Sequence, residues 1–260
     1  MRLSLELTRS PRPQFPTSYA YVCFHARDAA YEQGNATYCP GEHTYRNSDI
    51  DTYLPAMEAL TQRGYTTLRM GAKVERALTT RTPRIIDYAT TERTDFLDVW
   101  LPARCAFYVG DADGLASLAM VFRRPVVFAN YVPLEYVWSW GPQDLFIPKL
   151  LQWQATGQTL TFPELLTRGF GRFLRSSQYQ TQGLTVINNT PTQIRDVVLE
   201  QESRLHGQWQ TSAEDELLQQ RFWSLLMDQP GAAELHGTIR SRMGAVFLRQ
   251  HQQLLDVRRD

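Results

Sequence analysis

The chain has 260 residues and a mass of 30.0 kDa, with 43% hydrophobic and 21% charged residues, which suits one large or two small globular domains. Its 27 basic residues balance 27 acidic ones, which excludes a strongly basic nucleic-acid binder and an acidic disordered chain. No run of about 18 apolar residues occurs and residues 1–16 lack the apolar core of a signal peptide, so neither a transmembrane segment nor secretion is expected.

Residues 1–17, with Pro11, Pro13 and Pro16, read as an extended lead-in. Residues 19–25 form a short apolar run with aromatic and β-branched members, the pattern of a buried strand. Residues 26–47 lack any period and read as a long loop, usually functional or mobile at that length. Ile50, Tyr53, Leu54, Met57 and Leu60 then fall at helical spacing, with Gly64 as the stop. Strands are expected at residues 65–70, 84–88, 106–109 and 125–129, and helices from Thr94 or Asp95 through Leu101 and Ala103 and over 115–122. This alternation predicts βαβ units and an α/β fold: a Rossmann-like parallel sheet with flanking helices, over residues 18–205. Residues 132–157, rich in Pro and Trp, read as an irregular cover; Trp138, Trp140 and Trp153 suit either core or a subunit interface. Helices follow at 162–167, 191–205, 213–227 and 244–255, the last two making a helical extension over 206–260.

Parallel sheets take ligands beyond the carboxyl ends of their strands, so the residues there are the candidates. After the first strand stand His25, Arg27 and Asp28. Arg27 could fork onto a phosphate or carboxylate, or simply pair with Asp28; His25 is as readily structural as catalytic. His43, Tyr45, Arg46, Asn47 and Asp49 cluster before a helix start. Capping explains Ser48 or Asp49 but not Arg46, whose charge suits that place only if an anion binds. After the second strand come Arg69, Gly71 and Lys73, a phosphate turn or a plain surface turn. Gly110, Asp111, Asp113, Gly114 and Leu115 form a glycine-flanked strand-to-helix turn of the kind that cradles a diphosphate. Its two aspartates could instead cap the helix, hold a metal or act as a base. Asn130, Tyr131 and Pro133 could wall a base or sugar pocket. Cys39, His43, His25 and Asp49 lack the short spacing of a zinc motif, and Cys23, Cys39 and Cys105 make no disulfide framework, as suits a reducing cytoplasm. No Walker sequence, dinucleotide fingerprint or nucleophile elbow occurs.

Several multi-residue blocks, in fixed order, carry a resemblance. They are residues 22–28, Tyr45-Arg46-Asn47-Ser48-Asp49-Ile50, Tyr53-Leu54-Pro55-Ala56, Arg63-Gly64-Tyr65, Arg69-Met70-Gly71 and Ile86-Asp87-Tyr88. Residues 94–98, Phe122-Arg123-Arg124-Pro125-Val126-Val127, Leu145-Phe146-Ile147-Pro148-Lys149, Asn189-Thr190-Pro191 and Phe247-Leu248-Arg249-Gln250 continue it. Over residues 18–255 the chain resembles a family of bacterial glycosyltransferases of surface-polysaccharide clusters. The resemblance implies a GT-B-like transferase, this chain being its carboxyl-terminal, nucleotide-sugar-binding half. His25-Ala26-Arg27 is similar to the His-x-Arg of fucosyltransferases, whose arginine contacts the donor diphosphate, and Arg27 inherits that expectation. Two departures stand out: no amino-terminal acceptor domain is apparent, and the phosphate turn carries Asp111 and Asp113 where such turns are rich in Ser, Thr and Gly.

The implied activity is sugar transfer from a GDP- or UDP-linked donor to a glycan acceptor, at the inner face of the membrane or elsewhere in the cytoplasm, with no cofactor and no metal. Arg27, Arg69 and Lys73, with Arg46 behind them, would stabilise the leaving diphosphate. Asp28 or Asp49 would serve as base if the product is inverted. A partner protein could supply the acceptor half. The rivals are a non-catalytic nucleotide- or glycan-binding subunit, a sugar-nucleotide epimerase or hydrolase, and a metal-dependent hydrolase.

Overall fold

The computed structural model describes residues 21–33, Cys39 and residues 41–257; the expected lead-in and the first two residues of the expected first strand lie outside them. Strand β1 (Tyr21–His25) is followed by a single helical turn, α1 (Ala30–Gln33), and by a 3-10 turn over Thr44–Arg46, so the expected long loop carries local structure. Asp49 accepts a hydrogen bond from Asp51 N at 3.0 Å and opens a 3-10 turn, Ile50–Tyr53. The α-helix proper, α2 (Leu54–Gln62), starts only there, because Pro55 lacks an N–H and is tolerated in a first turn alone. Gly64, at φ +95°, turns the chain into β2 (Thr66–Arg69).

Then come β3 (Ile85–Ile86), α3 (Asp95–Arg104), β4 (Tyr108–Gly110), α4 (Gly114–Val121) and β5 (Val126–Tyr131). The segment expected to be irregular holds two strands, β6 (Leu145–Pro148) and β7 (Leu150–Trp153). All four residues of β6 are buried, so it shows no alternation, and Pro148 disguises it further. Next are α5 (Phe162–Thr167), α6 (Ser176–Thr181), β8 (Leu184–Ile187), α7 (Pro191–Leu205), α8 (Ala213–Met227), α9 (Ala232–His236), β9 (Arg242–Met243) and α10 (Ala245–Gln250). Capping boxes at Thr161/Glu164, Thr190/Gln193 and Ser212/Asp215 start α5, α7 and α8. The expected last helix is shorter: α10 gives way at His251 to a 3-10 turn, Gln252–Leu255.

Among the described residues, seven strands form one sheet in the order β3-β2-β1-β4-β5-β6-β9, each neighbouring pair parallel. The chain is thus α/β with a Rossmann-like parallel sheet and flanking helices. Strand β9 extends the sheet from within the segment expected to be only a helical extension. Strands β7 and β8 pair antiparallel apart from it.

Right-handed crossovers put α2, from the leftward β1–β2 step, and α4, from the rightward β4–β5 step, on opposite faces. Accordingly α2 packs on α7, and α3 on α4. Alternation along β1 serves both layers. Phe24 meets the Tyr53 ring edge-on at 6.5 Å beside α2, while Tyr21 donates to Leu101 O of α3 at 3.0 Å. The strand order reverses between β1 and β4, which leaves a crevice beyond their carboxyl ends. Of the tryptophans in the cover segment, Trp138 and Trp153 are partly buried against the core and Trp140 is exposed.

Candidate functional site

The crevice is lined at its base by the strand ends. His25 and Gly110 are register partners, and a Cβ on residue 110 would stand 2.7 Å from His25 O, so only glycine lets β4 approach here. Beyond it the two aspartates part. Asp111 turns inward, 3% exposed, and accepts from Arg27 N at 2.7 Å and Ser48 Oγ at 2.9 Å. Burial raises its pKa to about 6, against the lowering pull of Lys149 and the Arg27 N–H. Asp113 caps α4, accepting from Ala116 N at 2.8 Å, while its other oxygen makes a short hydrogen bond with His25 Nδ1. Burial opposes the charge on both, but the pairing wins: His25 is raised above its ordinary value and Asp113 is held below its own. Where His25 is protonated the two form an ion pair, which offsets the negative charge that a phosphate would otherwise meet.

Three cations close on the same space. Arg27 is 6% exposed, with Nη2 3.4 Å from Glu32 Oε1 and the guanidinium 5.0 Å from the Tyr31 ring centre. Arg46 donates to Ala112 O, in the turn before α4. Lys73 comes from the turn after β2. With His25, Asp28, Tyr31, Asp113, Gly114 and Leu115 they line a cavity of about 330 Å³, the size of a small-ligand site. The N-terminus of α4, where backbone N–H groups favour anions, opens into it. Gly71 sits beside this wall at φ +147°; a Cβ there would meet Val74 at 2.7 Å and lie 3.6 Å from the His25 ring.

Other candidates are engaged elsewhere. Arg69, 1% exposed, donates to Asp87 Oδ1 at 3.1 Å and to Arg76 O at 2.8 Å, so its place after β2 serves the fold. Asp49 pairs with Arg76 at 2.6 Å over a neighbouring hollow of about 240 Å³. Asp28 lines both hollows and accepts from Ala30 N at 3.1 Å and Glu75 N at 3.0 Å. Asn130, at φ +55°, forms a reciprocal pair with Asn189, each backbone N–H donating to the other's side-chain oxygen at 2.6 Å. Its Nδ2 donates to Tyr53 Oη at 3.1 Å, so Asn130, 2% exposed, joins β5 to the N-cap region of α7 and is not among the residues that line the crevice cavity. Tyr45 is buried against the Tyr179 ring at 5.3 Å. Cys39 and His43 join no cluster: no group of three His, Cys, Asp or Glu side chains able to hold a metal occurs among the described residues.

Sequence reasoning gave no site role to Lys149, Ser48, Glu32 or Tyr31. Lys149 is 4% exposed, and its Nζ donates to Tyr45 O at 2.8 Å and Asn47 O at 2.7 Å, which fixes the segment that carries Arg46. Burial lowers its pKa to about 8, with Asp111 pulling it back up. The available signal was composition: Lys149 is one of two lysines in an arginine-rich chain, and it stands within the apolar run Leu145–Trp153. No protein-family model matches the chain, and no curated protein or solved structure matches it either.

Proposed function

We propose that the crevice between β1 and β4 binds the diphosphate of a nucleotide sugar, and that the chain is the donor-binding half of a GT-B-like glycosyltransferase of surface-polysaccharide assembly. The observation that carries this reading is the convergence of Arg27, Arg46, Lys73 and the α4 N-terminus on one cavity at the strand-order reversal. Cations outnumber carboxylates on its lining, and Asp113 is engaged by the His25 ring and the Ala116 N–H. Such an arrangement acts mainly by electrostatics. Fixed guanidinium, ammonium and N–H groups oppose the charge that builds on a departing nucleoside diphosphate, at no reorganisation cost. Asp28 is the carboxylate on the lining best placed to take a proton from an acceptor hydroxyl; Asp49 lies over the other hollow. The glycan acceptor would approach from the open side, on a partner protein or a further part of the chain.

Thermal-shift titration with UDP, GDP, CMP and dTDP and their sugars tests this directly. A ligand that binds only the native state raises the melting temperature with its occupancy. One nucleotide series should do so, with a weaker response in Lys73→Ala and in Arg46→Gln. Absence of any shift at millimolar nucleotide would sink the proposal. Release of free nucleotide without an acceptor would favour the hydrolase or epimerase reading over transfer.

A further inference from the structure

Helix α4 joins two cavities. Its N-terminus opens on the crevice just described. Its far end, eight residues or about 12 Å away, borders a larger cavity of about 450 Å³ at the amino ends of β5 and β6. Arg123, Arg124, Arg240, Trp140 and the buried Asp144 line it.

Four features set this cavity apart from an ordinary helix end. First, none of the three arginines makes an ion pair with another described residue, although the other described arginines are mostly paired with carboxylates or aromatic rings; Arg124 Nε donates to Ala103 O at 2.9 Å, which leaves Arg123 and Arg240 as the exposed pair on the lining. Asp144 does not neutralise them. Its carboxylate accepts from Val126 N at 2.9 Å and packs under Gly141, where even a Cβ would collide with it, and burial raises its pKa to about 6.

Second, Arg123 occupies a strained position. Arg124 N donates to Ala119 O and Arg123 N to Met120 O, the paired bonds that end a helix with a left-handed residue. That residue is usually glycine; here it is Arg123, at φ +56°. A non-glycine residue there costs roughly 1 kcal/mol, so the side chain is kept against a local cost and stands on the cavity wall.

Third, Trp140 is 50% exposed, yet its ring is held: it stacks on Trp138 with centres 5.8 Å apart and planes 26° from parallel. One face is backed by Trp138. Fourth, the two segments that supply Trp140 and Arg240 are tied together, since Arg240 N and Ser241 N both donate to Ser139 O, at 2.7 and 2.9 Å.

A held aromatic face beside the guanidinium groups of Arg123 and Arg240, which pair with no carboxylate among the described residues, suits a ring that carries an anionic group. We propose that this cavity is a second ligand site, for an anionic saccharide, with the sugar ring against Trp140 and its phosphate or carboxylate between Arg123 and Arg240. Its lining shares no residue with that of the crevice.

Isothermal titration of the full chain with glucose 1-phosphate and with glucuronate tests it, with glucose, inorganic phosphate and AMP as comparison probes. The sugar anions should bind saturably. Glucose and phosphate alone should each bind at least about tenfold more weakly, since each offers half of the recognised chemistry. Arg123→Gly and Arg240→Ala should each weaken the sugar anions by at least about tenfold. Arg123→Gly should melt no lower than the parent, because glycine suits the left-handed position, so lost binding there is not lost folding. Lys73→Ala, in the other cavity, should leave this binding unchanged. The proposal is overturned if neither sugar anion binds at millimolar concentration, if both arginine variants bind as the parent does, or if phosphate alone binds as tightly. Binding of AMP as tight as that of the sugar anions would equally overturn the saccharide assignment.

Discussion

His25 and Gly110 face each other across the β1–β4 junction, and the carbonyl oxygen of His25 lies where residue 110 has room for no side chain, 2.7 Å from an ideal Cβ. The crevice floor therefore depends on one missing methyl group. Gly110→Ala should force the two strands apart and destabilise the fold by about 1–3 kcal/mol. Gly114→Ala, four residues on, meets nothing within 4 Å and sits at the start of α4, so it should be neutral or slightly stabilising. Urea denaturation of the pair decides this. Equal midpoints for the two variants would contradict it.

The His25–Asp113 pair makes stability depend on pH in a definite direction. His25 is raised on folding, so its support is complete below its unfolded value of about 6.5 and is lost as pH rises through the folded value. Asp113 is lowered, so its support is present above 3.8 and is lost as pH falls through its folded value. Both are in force together between those limits. Asp113→Asn keeps a good N-cap but removes the charge. The His25 titration midpoint, read by NMR, should fall in this variant, because burial then acts on the imidazolium without its counter-charge. An unmoved midpoint would show that Asp113 does not govern His25.

Lys149 and Asp111 are both buried in the wall behind the crevice, and burial shifts them in opposite directions. Asp111 at about 6 binds more protons folded than unfolded between pH 3.8 and 6, so its contribution is lost as pH rises across that window. Lys149 at about 8 binds fewer protons folded than unfolded up to 10.5, so its contribution improves as pH rises from 8. Asp111→Asn should abolish the acidic-window effect and push Lys149 further below 8, by removing the charge that holds it up. With only Lys73 and Lys149 in the chain, carbon-13 labelling of lysine side chains gives two signals, and the Lys149 signal alone should move.

The sheet and the crevice were legible in sequence for one reason: short apolar runs mark parallel strands, and the residues that follow them fall at one edge. His25, Arg27, Asp28, Lys73 and Asp113 meet at one cavity as that rule requires. The rule does not say which way each side chain turns. Arg69 ends β2 just as His25 ends β1, yet Asp87, from the end of the neighbouring β3 segment, claims it. Asn130 follows the same rule and is claimed by Asn189, 59 positions away in the chain. Such partners are set by long-range packing, to which local pattern is blind. The same limit hid β6, whose four residues are all buried, and β8, whose four residues pair only with β7, outside the main sheet.

Arg69 and Lys73 stand four positions apart after β2, where the sequence allows a phosphate turn or a plain surface turn and the family resemblance places both on the diphosphate. Their surroundings separate them. Arg69 is held within the fold by Asp87 and the Arg76 carbonyl, a planar fork that lysine cannot reproduce. Arg69→Lys should thus cost about 1–3 kcal/mol of stability by leaving buried acceptors unsatisfied, and leave nucleotide affinity in the folded protein unchanged. Lys73 is exposed and lines the cavity, so Lys73→Ala should change stability by no more than about 0.5 kcal/mol, as surface substitutions do, and weaken nucleotide binding by about tenfold, the loss of one charge-assisted contact. Calorimetric titration beside urea denaturation, run on both variants, reads the two effects separately. A larger stability loss in Lys73→Ala, or an affinity loss in Arg69→Lys at full folding, would reverse the assignment and place the anion on the other side of the β2 turn.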